Sequence, residues 1–409
     1  MKLYSNSFLF ILKLFVLSFV FFSCSKYETT EPELPNTNLL TVQNIKTDLA
    51  IVNLNVNQNE FDNMMENYSD DIEIEGFYFM YTSDLDSIIK NEPITISIKG
   101  SSTAAYVLKS LSINFDNKLD NSGRDIIAIN KSLERHHYNK ISKISLRNSG
   151  NDFGKTFIKD ISYTQLAIDM YLDLELSHYR PTQVFINNKY YGFLNLRTEK
   201  SKKSLANLLD VDKDNLNIIK INHLGGGQEE IEFKSGDHVI LQELVDAVES
   251  GNTEELKKLV DINSFADYIV FQDFIGNSDW PFNNTQIYNI TDSLFRFYLF
   301  DLDFAGTRDN YFASKENDFG FLYKMYTVLI QDEDILRKLQ ETQNKMVNYC
   351  SDQRFYAIVD KNAGVIENEI IYNISKYAKP KTNTAWYLEI EKLLTQFQLR
   401  RQNYIDKYM

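Results

Sequence analysis

The chain has 409 residues, of which 43% are hydrophobic and 13% aromatic, enough for one large bilobal domain or two ordinary ones and too apolar for a disordered chain. A net charge of −14 excludes nonspecific nucleic-acid binding, which needs clustered Lys and Arg to neutralise phosphates. It leaves room for one local cationic pocket.

In chain order, Lys2 opens a short basic region, and residues 8–22 are apolar apart from Lys13 and Ser18. The run is shorter than a membrane span and reads as an export signal. Ser23-Cys24 resembles the cleavage site of bacterial lipoproteins, in which the cysteine becomes the lipidated N-terminus. Phe21 and Phe22 depart from the usual pattern there, and an ordinary cleaved signal or an N-terminal anchor would carry the same apolar run. Residues 24–40 are polar and proline-containing, as in a flexible tether. Glu28, Glu31 and Glu33 resemble the acidic export tag of surface lipoproteins, and a solvated linker carries such charges too. The expectation is a lipid-anchored protein of the bacterial outer membrane or cell surface. After processing, Cys350 is the one cysteine outside the anchor, so no internal disulfide forms, and its helical setting points to the core.

From residue 40 to 115 the pattern is mostly strand. Residues 50–56, 73–81, 94–98 and 111–115 are β-rich or alternate, with a short helix at 59–67. A strand at 143–146 and a helix at 162–176 follow. Strands 181–186 and 190–196 are joined by Asn187-Asn188-Lys189, a hairpin turn. A further strand covers 217–221. Gly225-Gly226-Gly227 has no Lys-Ser or Lys-Thr after it, so it reads as a flexible loop rather than a phosphate loop. Helices are expected at 237–249 and 253–260, and from a cap at Asn263 to about Ile275. A hairpin at 286–290 and 294–300 precedes an almost wholly helical stretch from Phe319.

Two segments carry chemistry. The loop 277–284 lies between a helix and a hairpin and offers Asp279 and, five positions on, Asn284. The second segment, Phe300-Asp301-Leu302-Asp303-Phe304-Ala305-Gly306, ends an apolar strand with two carboxylates, and Mg²⁺ favours one or two carboxylates with phosphate and water completing its shell. Plain turns are also rich in Asn, Asp and Pro, and Asp-x-Asp also caps helices or binds calcium. The protein-kinase catalytic loop, however, separates its catalytic Asp from its metal-binding Asn by four residues, as here, and a second Asp beyond a hairpin completes the metal site. A metal-assisted hydrolase would need more ligands than His136, His137 and His223 offer, and there is no Ser-His-Asp set.

An ordered set of six segments between Leu54 and Asp309 resembles the CotH kinase family. These are Ile98-Lys99-Gly100-Ser101-Ser102, the strand Lys109 to Phe115, Leu146-Arg147-Asn148-Ser149-Gly150-Asn151-Asp152, the hairpin from Val184 to Glu199, the loop Asn277 to Asn284, and Asp301-x-Asp303. The chain departs from the family pattern at Val107-Leu108-Lys109, where Pro-Lys-Lys is usual, and at Asn188, where the hairpin glycine is usual.

The resemblance implies an α+β, atypical protein-kinase-like two-lobed fold. Its β-rich N-lobe would span 41–200 and its mainly helical C-lobe 201–409, behind a signal peptide at 1–23 and a tether at 24–40. It implies transfer of the ATP γ-phosphate to protein Ser or Thr hydroxyls with Mg²⁺ or Mn²⁺. Asp279 would be catalytic, Asn284, Asp301 and Asp303 would hold the metal, and Lys109 and Glu199 would face the nucleotide. Lys109 reads equally as an exposed strand lysine, Glu199 as a brace for Arg197, and Asp152 as a loop cap; Arg147 carries no assigned role. The expected partners are ATP, a protein acceptor and, through Cys24, the membrane, with the chain itself a monomer. The alternative is a catalytically dead kinase-fold surface protein serving in binding or adhesion.

Overall fold

The computed structural model describes residues 31–120, 140–225, 228–307 and 320–409. The export signal, Cys24, Gly226, Gly227 and Phe319 lie outside the described residues. Alternating sequences build the first half, a mixed strand-and-helix pattern the second.

Strands β1 (Ala50–Val56), β2 (Glu73–Tyr81), β3 (Ser87–Lys99), β4 (Ser110–Asp120) and β5 (Lys140–Arg147) are followed by the short β6 (Glu175–Leu176), β7 (Tyr179–Ile186) and β8 (Lys189–Thr198). All but β6 close into a seven-stranded barrel in the order β1-β2-β3-β4-β5-β8-β7. Closure comes from β1 pairing parallel to β7, with Val52 opposite Val184, while the other barrel pairs are antiparallel. A closed sheet has no open edge, and the inward residues of alternating strands become its core. Val52, Leu54, Ile94, Ile96, Ile113, Ile144, Leu194 and Leu196 fill it. At the β7–β8 turn, Asn187 and Asn188 both hold positive φ (49° and 62°), as a type I′ hairpin requires. Their side chains explain why asparagine serves where glycine is usual: Asn187 Oδ1 accepts from Val56 N (2.8 Å) and Asn188 Oδ1 from Val42 N (2.9 Å).

A second, five-stranded sheet has the order β10-β9-β11-β12-β6, with β9 at Leu216–Gly225, β10 at Gln228–Ser235, β11 at Thr285–Ile290 and β12 at Arg296–Leu299. The hairpin expected near 286–300 therefore does not stand alone among helices. Strand β10 is invisible to periodicity because it is a charged edge, Gln-Glu-Glu-Ile-Glu-Phe-Lys-Ser, of the kind that blunts edge-to-edge pairing.

The helices are α1 (Gln58–Glu66), α2 (Lys159–Asp169), α3 (Lys202–Leu209), α4 (His238–Ser250), α5 (Thr253–Leu259), α6 (Ile262–Ile275), α7 (Phe321–Leu329), α8 (Glu333–Tyr349), α9 (Asp352–Ile366), α10 (Ile370–Tyr377) and α11 (Asn383–Tyr408). Helix α2 starts and ends earlier than the apolar spacing suggests. Tyr171, at φ 53°, breaks it, and Leu172 and Leu174 continue the pattern as buried turn residues. The cap of α6 is Asp261, not Asn263: its carboxylate accepts from Asn263 N (3.0 Å) and Ser264 N (3.1 Å) and also pairs with Arg296. Helix α6 is buried on every side, through Phe265, Tyr268, Phe271 and Phe274.

Residues 31–40, which the composition casts as tether, are docked. The Glu31 carboxylate accepts from Asn383 N (2.8 Å) and Thr384 N (3.0 Å) at the start of α11, and Pro35 O accepts from Ser375 Oγ (2.5 Å) on α10. A carboxylate at a helix N-terminus satisfies orphan amides and opposes the helix dipole, which an open linker would not do.

Candidate active site

A cleft of about 520 Å³ is lined by the ends of β3 and β5, the start of β4, the residues after β5 and β8, strand β9, and the loops before β11 and after β12. Asp279, Asn284, Asp301 and Asp303 all line it.

The first loop leaves α6 through Gly276 at φ 58°, the left-handed position at which a helix commonly ends. Asn277 accepts from Asp279 N through its side-chain oxygen (3.2 Å) and is held in turn by Gln272 Oε1 (3.1 Å), so the turn that presents Asp279 is fixed from the helix. Asp279 Oδ2 accepts from Asn284 Nδ2 (2.5 Å) and Asn283 Nδ2 (3.1 Å). Among the described residues, Oδ1 has no hydrogen-bond partner. Burial pushes the Asp279 carboxyl above its usual range, and the Asn283 amide offsets this in part.

The second loop is laced to the first. Ser278 N donates to Phe304 O (3.4 Å), Gly306 N to Ile275 O (2.7 Å) and Thr307 N to Gly276 O (3.2 Å). Helix α2 holds it from the other side: Leu302 N donates to Asp160 Oδ1 (3.1 Å), while Asp160 Oδ2 accepts from the buried Arg197 (2.6 Å).

The segment Leu146–Asp152 supplies what holds the two carboxylates. Arg147 pairs with Asp301, and its Nη2 lies 3.2 Å from Asp303 Oδ2. Asp303 Oδ2 also accepts from Asn151 N (2.7 Å). Gly150, at φ 58°, lets that backbone approach, for a Cβ there would lie 2.1 Å from Asp303 Oδ2. Asn148 ties the turn to β4, accepting from Ser110 Oγ (2.9 Å) and donating to Leu108 O (2.6 Å). Asp152 is a loop cap, accepting from Thr156 N (3.1 Å) and Lys159 N (3.1 Å).

The two carboxylates are not equivalent. The Asp301 side chain is 23% exposed and that of Asp303 only 2%. Burial works against charge on both. At Asp301 the Arg147 guanidinium and Lys200 overcome it and hold the carboxyl below its usual range; at Asp303 burial and the Asp301 charge drive it well above. Asp301 is thus the ionised, accessible member of the pair, and Asp303 the anchored one.

Lys109 is not brought to the cleft. Its Nζ donates to Ala104 O (2.5 Å) and Tyr106 O (3.3 Å), closing the short 3₁₀ turn that follows Ser101. Glu199 enters indirectly, through its ion pair with Lys99, and Arg197 takes Asp160 instead. The lysines that do line the cleft are Lys99, Lys200 and Lys220. Sequence reasoning missed Lys200 and Lys220, and the available signal was adjacency: Lys200 directly follows Glu199. It also left Arg147 without a role, although the residue lies within the Leu146–Asp152 segment.

The donors facing the cleft from Asn284, Asp301 and Asp303 are oxygens of an amide and two carboxylates, a set that suits Mg²⁺ or Mn²⁺. Among the described residues no group of three or more His, Cys, Asp or Glu could hold a metal by itself.

A family model described as CotH kinase protein matches residues 96–404, which includes every cleft residue from Lys99 to Phe304. No curated protein matches the chain.

Proposed function

This chain belongs to the CotH kinase family, and we propose that it transfers the γ-phosphate of ATP to a protein Ser or Thr hydroxyl. The observation that carries the reading is Asp279. Two amides converge on its Oδ2, which fixes the carboxylate and leaves Oδ1 to accept a hydroxyl proton. The acceptor oxygen bonds to the γ-phosphorus, the β–γ bridging bond breaks with its electrons leaving on ADP, and the hydroxyl proton passes to Asp279. Asn284, Asp301 and Asp303 would hold the Mg²⁺ or Mn²⁺, which when bound neutralises charge on the phosphates.

In this reading residues 41–200 form the nucleotide-covering lobe and 201–409 the lobe that bears Asp279, an atypical kinase-like pair. A lipid on Cys24 would hold the enzyme at the outer membrane or cell surface, where its protein acceptor is met.

The test is phosphate transfer from labelled ATP by the full-length chain with Mg²⁺ or Mn²⁺, scored as autophosphorylation or on added protein acceptors. Asp279→Ala is expected to lower the rate by about 10²–10⁴-fold. If wild type and variant are equally inert with both metals and all acceptors, the reading fails.

A further inference from the structure

Three lysines line the cleft, and they differ in what already neutralises them. Lys99 is paired with Glu199. Among the described residues, Lys200 and Lys220 make no ion pair within the cleft or outside it. The Lys200 ammonium rests over the Phe300 ring, 3.1 Å from its centroid, one residue before Asp301. Lys220 lies on β9 directly opposite Gln286 of β11, so the two share a sheet face, and Gln286 Nε2 donates to Lys200 O (3.1 Å). The Gln286 side chain thereby holds the Lys200 backbone next to the strand pair that carries Lys220. Arg147, by contrast, is committed to Asp301 and Asp303.

The rest of the lining is also informative. Around the lysines are Gly100, Ser101, Ser102, Thr103, Ser110 and backbone of the Asn148–Asn151 turn, and among the described lining residues the one aromatic is Phe304. Small-molecule sites are usually lined mainly by apolar and aromatic side chains, which grip a flat ring system. The side chains lining this cleft are nearly all polar, and its lysines suit a polyanion better than a base.

We propose that the cleft recognises its donor by the polyphosphate chain, held by Lys200 and Lys220, and reads the attached base weakly. The inference rests on the kinase reading for its physiological ligand but not for its chemistry. Lys220 faces Glu232 across β9 and β10, and Lys200 lies near Asp301, but among the described residues neither ammonium is in direct contact with a carboxylate. Two such groups beside the Asp301 site suit a triphosphate whether or not a phosphoryl group is then transferred. Lys200 and Lys220, not Lys109, are the phosphate-binding lysines of this chain.

The experiment measures binding of inorganic tripolyphosphate, ATP and GTP, each with Mg²⁺, to the full-length chain by titration calorimetry, beside the phosphate-transfer assay. The three ligands are expected to bind within about tenfold of one another, ~1.4 kcal/mol. Lys200→Met and Lys220→Met should each weaken all three by about tenfold, and in parallel. Lys200→Arg should retain most of the affinity by keeping the charge. Ligand-free thermal unfolding of each variant identifies any loss that comes from misfolding, and the arginine variant is the informative one if Lys200→Met does not fold. ATP binding far more tightly than GTP and tripolyphosphate would overturn the proposal, as would unchanged affinity in both methionine variants. Lysine-dependent binding of all three without phosphate transfer would keep this inference and remove the kinase reading. No binding of any of the three would remove both.

Discussion

Lys200 is held where its charge is costly. Burial pulls its ammonium down from an ordinary value of 10.5 to about 7, and Lys99 and Lys220 push in the same direction against the pull of Asp301. Between those two pH values the unfolded chain binds more protons than the folded one, so this group's contribution to stability rises with pH across the window. Below about 7 both states are protonated and the full penalty for burying the charge applies. Lys200→Met is therefore expected to be more stable than wild type near about pH 6, with the advantage shrinking toward about pH 9. Guanidinium unfolding of the ligand-free protein at the two pH values checks this; an advantage that grows with pH would contradict the sign. Adjacency to Glu199 alone does not single this residue out in the sequence. Lys109 and Lys200 are both lysines at strand ends, and which of them meets the cleft is decided by barrel closure. Closure turns Lys109 back onto the carbonyls of Ala104 and Tyr106. The acidic residues were legible because their spacing, Asp279 to Asn284 and Asp301 to Asp303, lies within single loops.

At the scale of elements, legibility follows the range of the interactions. The β7–β8 hairpin is readable because alternation and the Asn187-Asn188 turn agree locally. The cap of α6 is less so: Asp261 and Asn263 are both good caps, and Asp261 wins through its distant partner Arg296. Least readable is how α2 holds the metal-loop candidate, because Asp160 lies 142 residues from Leu302. This helix turn carries a buried ion pair. Asp160 serves the Leu302 amide with one oxygen and Arg197 with the other, and both charged side chains are buried. Asp160→Asn leaves Arg197 buried without its counter-charge, and breaking such a pair costs about 3–5 kcal/mol. Chemical unfolding should show a loss of that order. Phosphate transfer should fall as well, even at temperatures where the variant stays folded, since the one acceptor oxygen that remains can no longer serve both the Leu302 amide and Arg197. A loss below about 1 kcal/mol, the worth of an exposed pair, would mean that the pair is not sequestered from water.

At the scale of the whole molecule, the C-terminal helices have a task the sequence did not disclose. The long helix α11 reaches both loop systems of the cleft. At its start, Trp386 is fully buried and its Nε1 donates to Thr156 O (2.9 Å), and Thr156 is in turn held by Asp152. That turn continues from Gly150 and Asn151, which seat Asp303. Near its end, Arg400 donates to Asp273 O and the Tyr408 hydroxyl to Asp273 Oδ2 (2.7 Å), in the last turn of α6 before the Asp279 loop. One helix thus braces the seat of Asp303 and the approach to Asp279, and Glu31 fastens the N-terminal segment to the same helix. Trp386→Ala removes a large side chain from the core and should cost about 3–5 kcal/mol. Trp386→Phe keeps most of the volume but loses the indole N–H, leaving Thr156 O without its donor, and should cost roughly 1–2 kcal/mol. The pair separates packing from bracing. If α11 positions the site, the phenylalanine variant loses phosphate transfer out of proportion to its small loss of stability, because the Asp152–Thr156 turn can then shift under Asp303. If α11 only completes the core, transfer by the folded phenylalanine variant stays at the wild-type level while its unfolding midpoint drops. Transfer rates measured well below that midpoint, beside the unfolding curves, distinguish the two.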